Sequence, residues 1–300
     1  YLSTFYMTKI LIYGGNGWIG GMMCELLSKK NIIFIKSNLR VNDKNAVNEE
    51  LDREKPTHVM SFIGRTHGNH NGTNYTTIDF LEQNGRIREN VQDNLFSPLV
   101  LAILCSRRNI HFTYLGTGCI FNYDTKHSLT PTGTGWTEND TPNFFGSSYS
   151  LVKGYTDELM HLFDTSVLNL RIRMPIVSRD CPRNFISKII RYENICSIPN
   201  SMTVLDELLP LALEMSLNNQ TGTINLVNPG VISHNEILQI YKDNVDPLFK
   251  WKNFTIDEQD SILAAERSNN RLDTTKLENI FPNVRPINIA VTKCLKNWCK

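Results

Sequence analysis

Lys9-Ile10-Leu11-Ile12-Tyr13-Gly14-Gly15-Asn16-Gly17-Trp18-Ile19-Gly20 is the stretch on which the reading of this chain turns. A short β-forming run passes without a break into glycines at 14, 17 and 20, and from Trp18 to Lys29 the apolar positions take a helical spacing. Three spaced glycines between a strand and a helix permit a tight turn, let main chain approach a pyrophosphate, and let helix and strand pack closely. The first N–H groups of the helix then face the phosphates. The stretch points to a dinucleotide site with Gly14, Gly17, Trp18, Ile19 and Gly20 at the cofactor.

Outward from this unit, apolar runs alternate with helical patterns, the signature of βαβ units and a parallel sheet. Strands are expected at 9–13, 31–36, 57–63, 110–115 and 167–172, and helices at Trp18–Lys29, Glu89–Arg107 and Ser148–Phe163. After Met174-Pro175 the elements shorten. Thr203-x-x-Asp206 and Ser233-x-x-Glu236 read as capping boxes, and Thr223–Val227 as a strand that returns to the main sheet. The expected fold is α/β, a Rossmann-type doubly wound parallel sheet with a smaller C-terminal substrate-binding lobe. Residues 1–173 plus about 201–229 would carry the cofactor, and 174–200 plus about 230–300 the substrate. The polar stretch Thr66–Thr77, THGNHNGTNYTT, reads as a long loop.

Composition narrows the function. The formal net charge of +1 gives no general attraction to nucleic acid or an anionic membrane. The longest uncharged apolar stretch, around Pro98–Cys105, falls short of the roughly 20 residues of a membrane span. Tyr1–Thr8 does not read as a secretory signal, and Met7 reads as a candidate start. Seven cysteines, an odd number without CxxC spacing, fit reduced thiols and a cytoplasmic location. His67 and His70 lack a third ligand at metal spacing, so no metal is expected.

At the end of the second strand, where an acidic residue would bond ribose hydroxyls, stand Lys36-Ser37-Asn38-Leu39-Arg40. Basic side chains there either favour a 2′-phosphate, hence NADPH with NADH bound more weakly, or are solvated loop charges. Tyr149-Ser150-Leu151-Val152-Lys153 puts a phenol and an ammonium four residues apart on one helix face. A nearby cation lowers a phenol's pKa, making proton transfer to a carbonyl oxygen feasible. Thr117 and Cys119 share one side of the fourth strand's carboxyl end, where Thr117 can bond a substrate carbonyl. Cys119 either reaches the same ligand or is a small buried hydrophobe. Lys188 lies off the apolar stripe of Ile186, Ile189 and Ile190, and by spacing alone reads as solvated.

These residues resemble the extended short-chain dehydrogenase/reductase superfamily. Longer stretches resemble one family in it, the UDP-4-keto-6-deoxyglucose 3,5-epimerase/4-reductases that complete UDP-L-rhamnose. The matching stretches include ILIYGGNGWIGG, TGCIFNYD, ENDTPNFFGSSYSLVK, LRIRMPI, PRNFISKIIRYE and RSNN, and the match runs from residue 10 to about 276. The resemblance implies a bifunctional enzyme that inverts C3 and C5 of the keto-sugar and then reduces C4 with NADPH. It implies Thr117, Tyr149 and Lys153 as the reductase set, and Cys119 and Lys188 as the epimerase acid/base pair. Arg40, Ile63, Gly64, Tyr149, Lys153 and Pro175 would add to the cofactor site. Thr66, Arg183, Asn184, Asn200, Ser201, Arg267, Asn269 and Asn270 would line the nucleotide-sugar side. A homodimer formed through helices is the assembly expected from the superfamily. The chain departs from the family at Gly64–Asn90, where its loop is longer. The alternatives are a relative acting on GDP- or dTDP-linked keto-sugars, and a non-catalytic regulatory subunit. Retention of all five acid/base residues argues against the second.

Overall fold

The computed structural model describes residues 8–130 and 133–299; the candidate start at Met7 and most of the stretch read against a signal lie outside the described residues. By packing, the chain divides into two compact units. One comprises Tyr1–Gly116, Val152–Leu170 and Pro210–Thr223; the other comprises Thr117–Leu151, Arg171–Leu209 and Ile224–Lys300.

The first unit begins with β1 (Ile10–Tyr13), α1 (Trp18–Lys29), β2 (Phe34–Lys36), α2 (Lys44–Glu54) and β3 (His58–Ser61). β1 and β3 are buried at every residue. A strand covered on both faces needs a continuous apolar run, which ILIY supplies. α2 was not expected from the sequence, because KNAVNEELDRE carries few apolar residues; only Val47, Glu50 and Leu51 are buried in it.

Next come β4 (Gly68–His70), β5 (Thr73–Tyr75), α3 (Ile87–Val91), a π-helical turn over Gln92–Phe96, and α4 (Ser97–Ser106). The supposed long loop is therefore an antiparallel hairpin, with Gly68 paired to Tyr75 and His70 to Thr73. Asn71 and Gly72 both have positive φ, at 50° and 81°. Two such residues in sequence form the tight turn whose twist matches paired strands. Where a regular helix was expected from Glu89, the π turn intervenes. Asn94 braces it, bonding the main-chain N and O of Arg65 at 2.9 Å each, while Thr156 Oγ1 donates to the Asn94 carbonyl at 2.7 Å. Side groups that insert into the helical ladder in this way favour a π turn.

The remaining elements are β6 (His111–Thr117), α5 (Ser148–His161), β7 (Val167–Ile172), α6 (Phe185–Ile189), β8 (Asn194–Ile195), α7 (Leu205–Leu217) and β9 (Gly222–Asn225). Six strands form one parallel sheet in the order β2-β1-β3-β6-β7-β9. The return strand expected at Thr223–Val227 is its edge. The chain steps from β1 outward to β2 and then back across β1 to β3, so the order reverses between β1 and β3. Leu11, Tyr13, Val59, Leu101, Leu104, Phe112 and Tyr114 belong to the core of this unit.

The second unit continues with α8 (His234–Asn244), β10 (Lys252–Asn253), α9 (Ile256–Asp260), α10 (Thr275–Ile280) and α11 (Ile287–Lys296). One of its clusters gathers Ile176, Ile186, Ile237, Leu238 and Val291; another gathers Ile120, Phe121, Trp136, Val227 and Leu272. Phe121 and His127 both stack on Trp136, at 4.8 Å and 3.6 Å between centroids. This packing puts 117–151 with the C-terminal segments, whereas the division expected from the sequence keeps 1–173 together. The capping box at Ser233 and Glu236 forms. The one expected at Thr203 does not: its hydroxyl bonds the Leu226 carbonyl at 2.8 Å, and Asp206 accepts from Ser178 N at 2.7 Å. Long-range partners outcompete the local cap there.

His58 on β3 is buried beside His111, their rings 5.3 Å apart. Burial, and after it the neighbouring His111, holds the His58 imidazole down to about 4. The unfolded chain takes up this proton near 6.5, so the contribution to stability is full above that pH and is lost as the pH falls toward 4. The urea midpoint should drop across that window, and His58→Gln should flatten the drop.

Candidate active site

In the first unit, β1, β2 and β3 end together at the point where strand order reverses, the place where open α/β sheets hold ligands. A cleft of about 310 Å³ opens there. It is lined by Gly14–Gly17 after β1, Ser37–Asn42 after β2, Phe62–Arg65 after β3, and Gln92, Asp93 and Ser97. The π turn carries Gln92 and Asp93 into this wall. Asp93 is held by Arg65, Nε to Oδ2 at 2.9 Å.

The glycines are required by contact. A Cβ on Gly14, where φ is +75°, would lie 2.8 Å from the Phe62 carbonyl carbon; on Gly20 it would lie 2.2 Å from the Gly14 oxygen. Gly17 is the N-cap of α1 and offers no side-chain oxygen to the first turn. The N–H groups of that turn are thereby left for an anion. An open cleft, main chain with room beside it and an uncapped helix start fit a dinucleotide.

Of the residues expected at the cofactor, Gly14, Gly17, Arg40, Ile63 and Gly64 line the cleft; Trp18, Ile19, Gly20, Tyr149, Lys153 and Pro175 do not. Arg40 is exposed at its rim, and Lys36, also exposed, lies off the lining with its stem over Gly15. The site offers no acidic side chain at the end of β2 itself. The nearest acid along the chain that is buried, Glu50, is already engaged by Tyr13 and Ser37, at 2.7 Å each. Thr66 is half-buried with its hydroxyl beside His67 and is off the cleft. Arg86 Nε donates to His70 Nδ1 at 3.1 Å, and no group of three metal-ligating side chains occurs among the described residues.

Lys153 is 4% exposed and donates to the Tyr114 hydroxyl, with its nitrogen 4.6 Å from the Tyr114 ring centroid. Tyr114 is a partner that sequence reading missed. Its placement three residues before Thr117 on β6 carries no motif, and only the sheet brings it under α5.

In the second unit, Thr117, Cys119 and Tyr149 come together. The Thr117 hydroxyl accepts from Cys119 N at 3.1 Å and bonds the Tyr149 phenol. Ser150 Oγ donates to the Cys119 carbonyl at 2.8 Å, tying the start of α5 to the turn after β6. Cys119 is half-buried. The Tyr149 phenol is shifted up, against the expectation from a neighbouring cation. Burial is the largest cause and the nearby Cys119 adds to it; the Thr117 hydrogen bond opposes both without prevailing.

Lys188 on α6 is half-buried rather than solvated. Burial, followed by the charges of Arg183 and Arg267, holds its ammonium below the ordinary lysine range. These three cations were scattered in sequence, and the fold gathers them. Asn184, by contrast, is committed to main chain. Its Nδ2 donates to Val177 O and Arg179 O, and its Oδ1 accepts from Ile186 N and Val177 N. It braces the start of α6. Asn200 and Ser201 are fully buried, Asn200 Nδ2 reaching Asn269 Oδ1 at 2.8 Å and Ser201 Oγ accepting from Leu272 N at 2.9 Å. Asn270 Nδ2 bonds the carbonyls of Gly118 and Phe121 at 2.9 and 2.8 Å, while its buried Oδ1 has no partner. The described helices include none long and apolar enough to cross a membrane.

A family model described as the RmlD substrate binding domain matches residues 7–194. Protein L780 of Acanthamoeba polyphaga mimivirus is 52% identical over 279 residues, 93% of this chain and 94% of that one. The crystal structure of the L780 UDP-rhamnose synthase superposes with a TM-score of 0.93 at 50% identity, covering 96% of this chain and 99% of the other. A bifunctional dTDP-4-dehydrorhamnose 3,5-epimerase/dTDP-4-dehydrorhamnose reductase of Arabidopsis thaliana is 44% identical over 286 residues, 95% of this chain and 91% of that one. In fold alone, a dTDP-4-dehydrorhamnose reductase of Bacillus anthracis in complex with NADP has a TM-score of 0.75 at 16% identity, covering 95% and 96%. The similarity to the mimivirus and Arabidopsis relatives thus runs over nearly the full length of each chain. The chain belongs to the RmlD-type family of nucleotide-sugar reductases and epimerases in the extended short-chain dehydrogenase/reductase superfamily.

Proposed function

We propose that this protein converts UDP-4-keto-6-deoxyglucose to UDP-L-rhamnose, first inverting C3 and C5 and then reducing C4, with NADPH preferred over NADH. The observation that carries the reading is the gathering of Thr117, Cys119 and Tyr149. It combines the proton donor and oxyanion partner a reductase needs with a thiol that reduction alone does not use. The names of the mimivirus and Arabidopsis relatives support the same pair of reactions. Residues 1–173 plus about 201–229 would serve the cofactor and 174–200 plus about 230–300 the sugar nucleotide, with Thr117, Cys119 and Tyr149 facing the sugar.

The 4-keto group acidifies the hydrogens on C3 and C5. Cys119 as thiolate takes a proton from carbon, and Lys188 as ammonium returns one from the other face, which inverts the centre. A lysine held below its usual range gives up a proton more readily, which suits it to that task. The hydroxyls of Thr117 and Tyr149 hold the C4 oxygen while it carries enolate charge. In the reduction Tyr149 gives its proton to the same oxygen. A phenol pushed up by burial keeps its proton at neutral pH and is a donor ready for this step. Lys153, one helical turn along α5, offers the cation that stabilises the phenolate left behind. Gly14, Gly17 and the uncapped start of α1 would hold the pyrophosphate, and Arg40 the 2′-phosphate. The cofactor, when bound, supplies the reducing equivalents for C4.

Arg183 and Arg267 match the diphosphate by charge. Asn184 acts here by bracing α6, and Asn200, Ser201, Asn269 and Asn270 by forming the buried polar wall. Thr66 and Pro175 belong to the reading through family resemblance. A dTDP-linked substrate is the second reading, favoured by the name of the Arabidopsis relative.

Purified protein given UDP-4-keto-6-deoxyglucose and NADPH should yield UDP-L-rhamnose by NMR, faster than the dTDP sugar is turned over; the reverse preference would select the second reading. Tyr149→Phe should lower reduction by about a hundredfold or more while solvent deuterium still enters C3 and C5. Cys119→Ala should abolish that deuterium entry with cofactor binding unchanged, and wild-type exchange in this variant would remove Cys119 as the base. Arg40→Ala should weaken NADPH about tenfold, equivalent to ~1.4 kcal/mol, and leave NADH binding unaltered by titration; equal losses for both would refute the 2′-phosphate contact.

A further inference from the structure

Arg173, just beyond β7, is 1% exposed and spends all five guanidinium N–H groups. Nε donates to the Ser201 carbonyl at 3.3 Å. Nη1 donates to the Gly118 carbonyl at 2.9 Å and Ser268 Oγ at 2.8 Å, and Nη2 to Asn200 Oδ1 at 2.6 Å and the Ser268 carbonyl at 3.0 Å. Every one of these acceptors is neutral. Among the described residues none of the ion pairs includes Arg173, whereas the exposed Arg191 and Arg285 each have a carboxylate.

A guanidinium removed from water without a counter-charge is costly even when its hydrogen bonds are complete. A neighbouring group that becomes negative during a reaction would offset that cost. Gly118 directly precedes Cys119, and a Cβ on Gly118 would lie 3.1 Å from Arg173 Cγ, so the arginine stem lies against this turn. Burial holds the Arg173 guanidinium below its ordinary range, and Cys119, followed by Tyr123, opposes that shift. Tyr123 keeps its proton: burial pushes its phenol up to about 12, and its hydroxyl donates to the Pro199 carbonyl at 2.8 Å. Cys119, next in the chain to the carbonyl that Arg173 holds, is left as the candidate.

We propose that Arg173 is the fixed counter-cation of Cys119, stabilising its thiolate and positioning it by gripping the Gly118 carbonyl. The proposal rests on the assignment of Cys119 as the epimerase base. The thiol releases its proton to solvent, the thiolate accepts one from C3 or C5 and is a thiol again, and Arg173 keeps its own proton throughout. It touches neither sugar nor cofactor and is a positioning residue. Its neutral-acceptor cage explains the specific use of arginine: a carboxylate partner would cancel the field that the thiolate needs, and lysine lacks the fork that spans Gly118, Asn200, Ser201 and Ser268.

The test is alkylation of the unliganded protein at pH 7 with iodoacetamide, which is neutral, and iodoacetate, which is an anion. In each case an S–C bond forms and iodide leaves, and peptide mass spectrometry reads Cys119 against the exposed Cys299. Cys119 should react about tenfold faster than Cys299, and with a higher iodoacetate-to-iodoacetamide ratio, because a cation beside the sulfur attracts the anionic reagent. Arg173→Met should slow Cys119 about tenfold and bring its ratio down to that of Cys299, and Arg173→Lys should recover part of both. Loss of a structural bond alone would not change the reagent ratio, nor be rescued by charge. A folded Arg173→Met protein with wild-type Cys119 reactivity overturns the proposal. If that variant does not fold, a wild-type reagent ratio at Cys119 no higher than at Cys299 overturns it as well. Deuterium exchange surviving in Cys119→Ala would instead remove the base assignment, whatever the alkylation rates.

Discussion

The close approach of α1 to the end of β1 is the constraint on which the first unit depends. With the Gly20 Cα pressed against the Gly14 carbonyl, no side chain fits at that position. The helix start can then point its free N–H groups along the strand axis into the cleft, and no local side chain competes for them. β2 and β3 flank β1 on opposite sides, so the loops that follow them form the two walls of one opening. A bulkier residue at either glycine would move the helix away from the sheet and distort the cleft.

Burial sets the chemistry of the second unit. The same loss of water that keeps the Tyr149 phenol protonated holds the Lys188 ammonium below its usual range. One side chain becomes a better proton carrier at neutral pH and the other a readier donor, without any unusual residue type. The polar wall of Asn200, Ser201, Ser268 and Asn270 sits in the same dry environment, and nearly all of its hydrogen-bonding capacity is used. Such a network is rigid because each broken bond leaves a buried polar group unpaired. Rigidity here fixes the turn that carries Thr117 and Cys119.

The hairpin of β4 and β5 gives fixed structure to the polar stretch at 66–77. Gly68 packs its Cα on the Phe80 ring, where a Cβ would lie 2.6 Å from Cζ, and Arg86 lies over the same ring, 5.2 Å from its centroid, and is bonded to His70. A stretch rich in Asn, Gly and Thr thus acquires fixed structure through one aromatic anchor and one arginine. Among the described residues its short strands pair with each other as a separate two-stranded sheet.

The sequence by itself determined the elements whose signal is local. A glycine-spaced turn, apolar runs in β1, β3, β6 and β7, the capping box at Ser233 and the YxxxK pair on α5 all depend on neighbours within a few positions, where steric and hydrogen-bonding preferences act directly. Only the tertiary structure decided the properties that arise from burial and long-range pairing. Lys188 reads as solvated because helical spacing records which residues are apolar, and it says nothing of what packs over the polar face. Tyr149 was expected to shift down because a cation lies four residues away, yet desolvation by distant segments outweighs it. Thr203 gives up its cap to Leu226, and Arg173 finds neutral partners drawn from residues 118, 200, 201 and 268. Those contacts join residues far apart in the chain, so no pattern within a window could have revealed them.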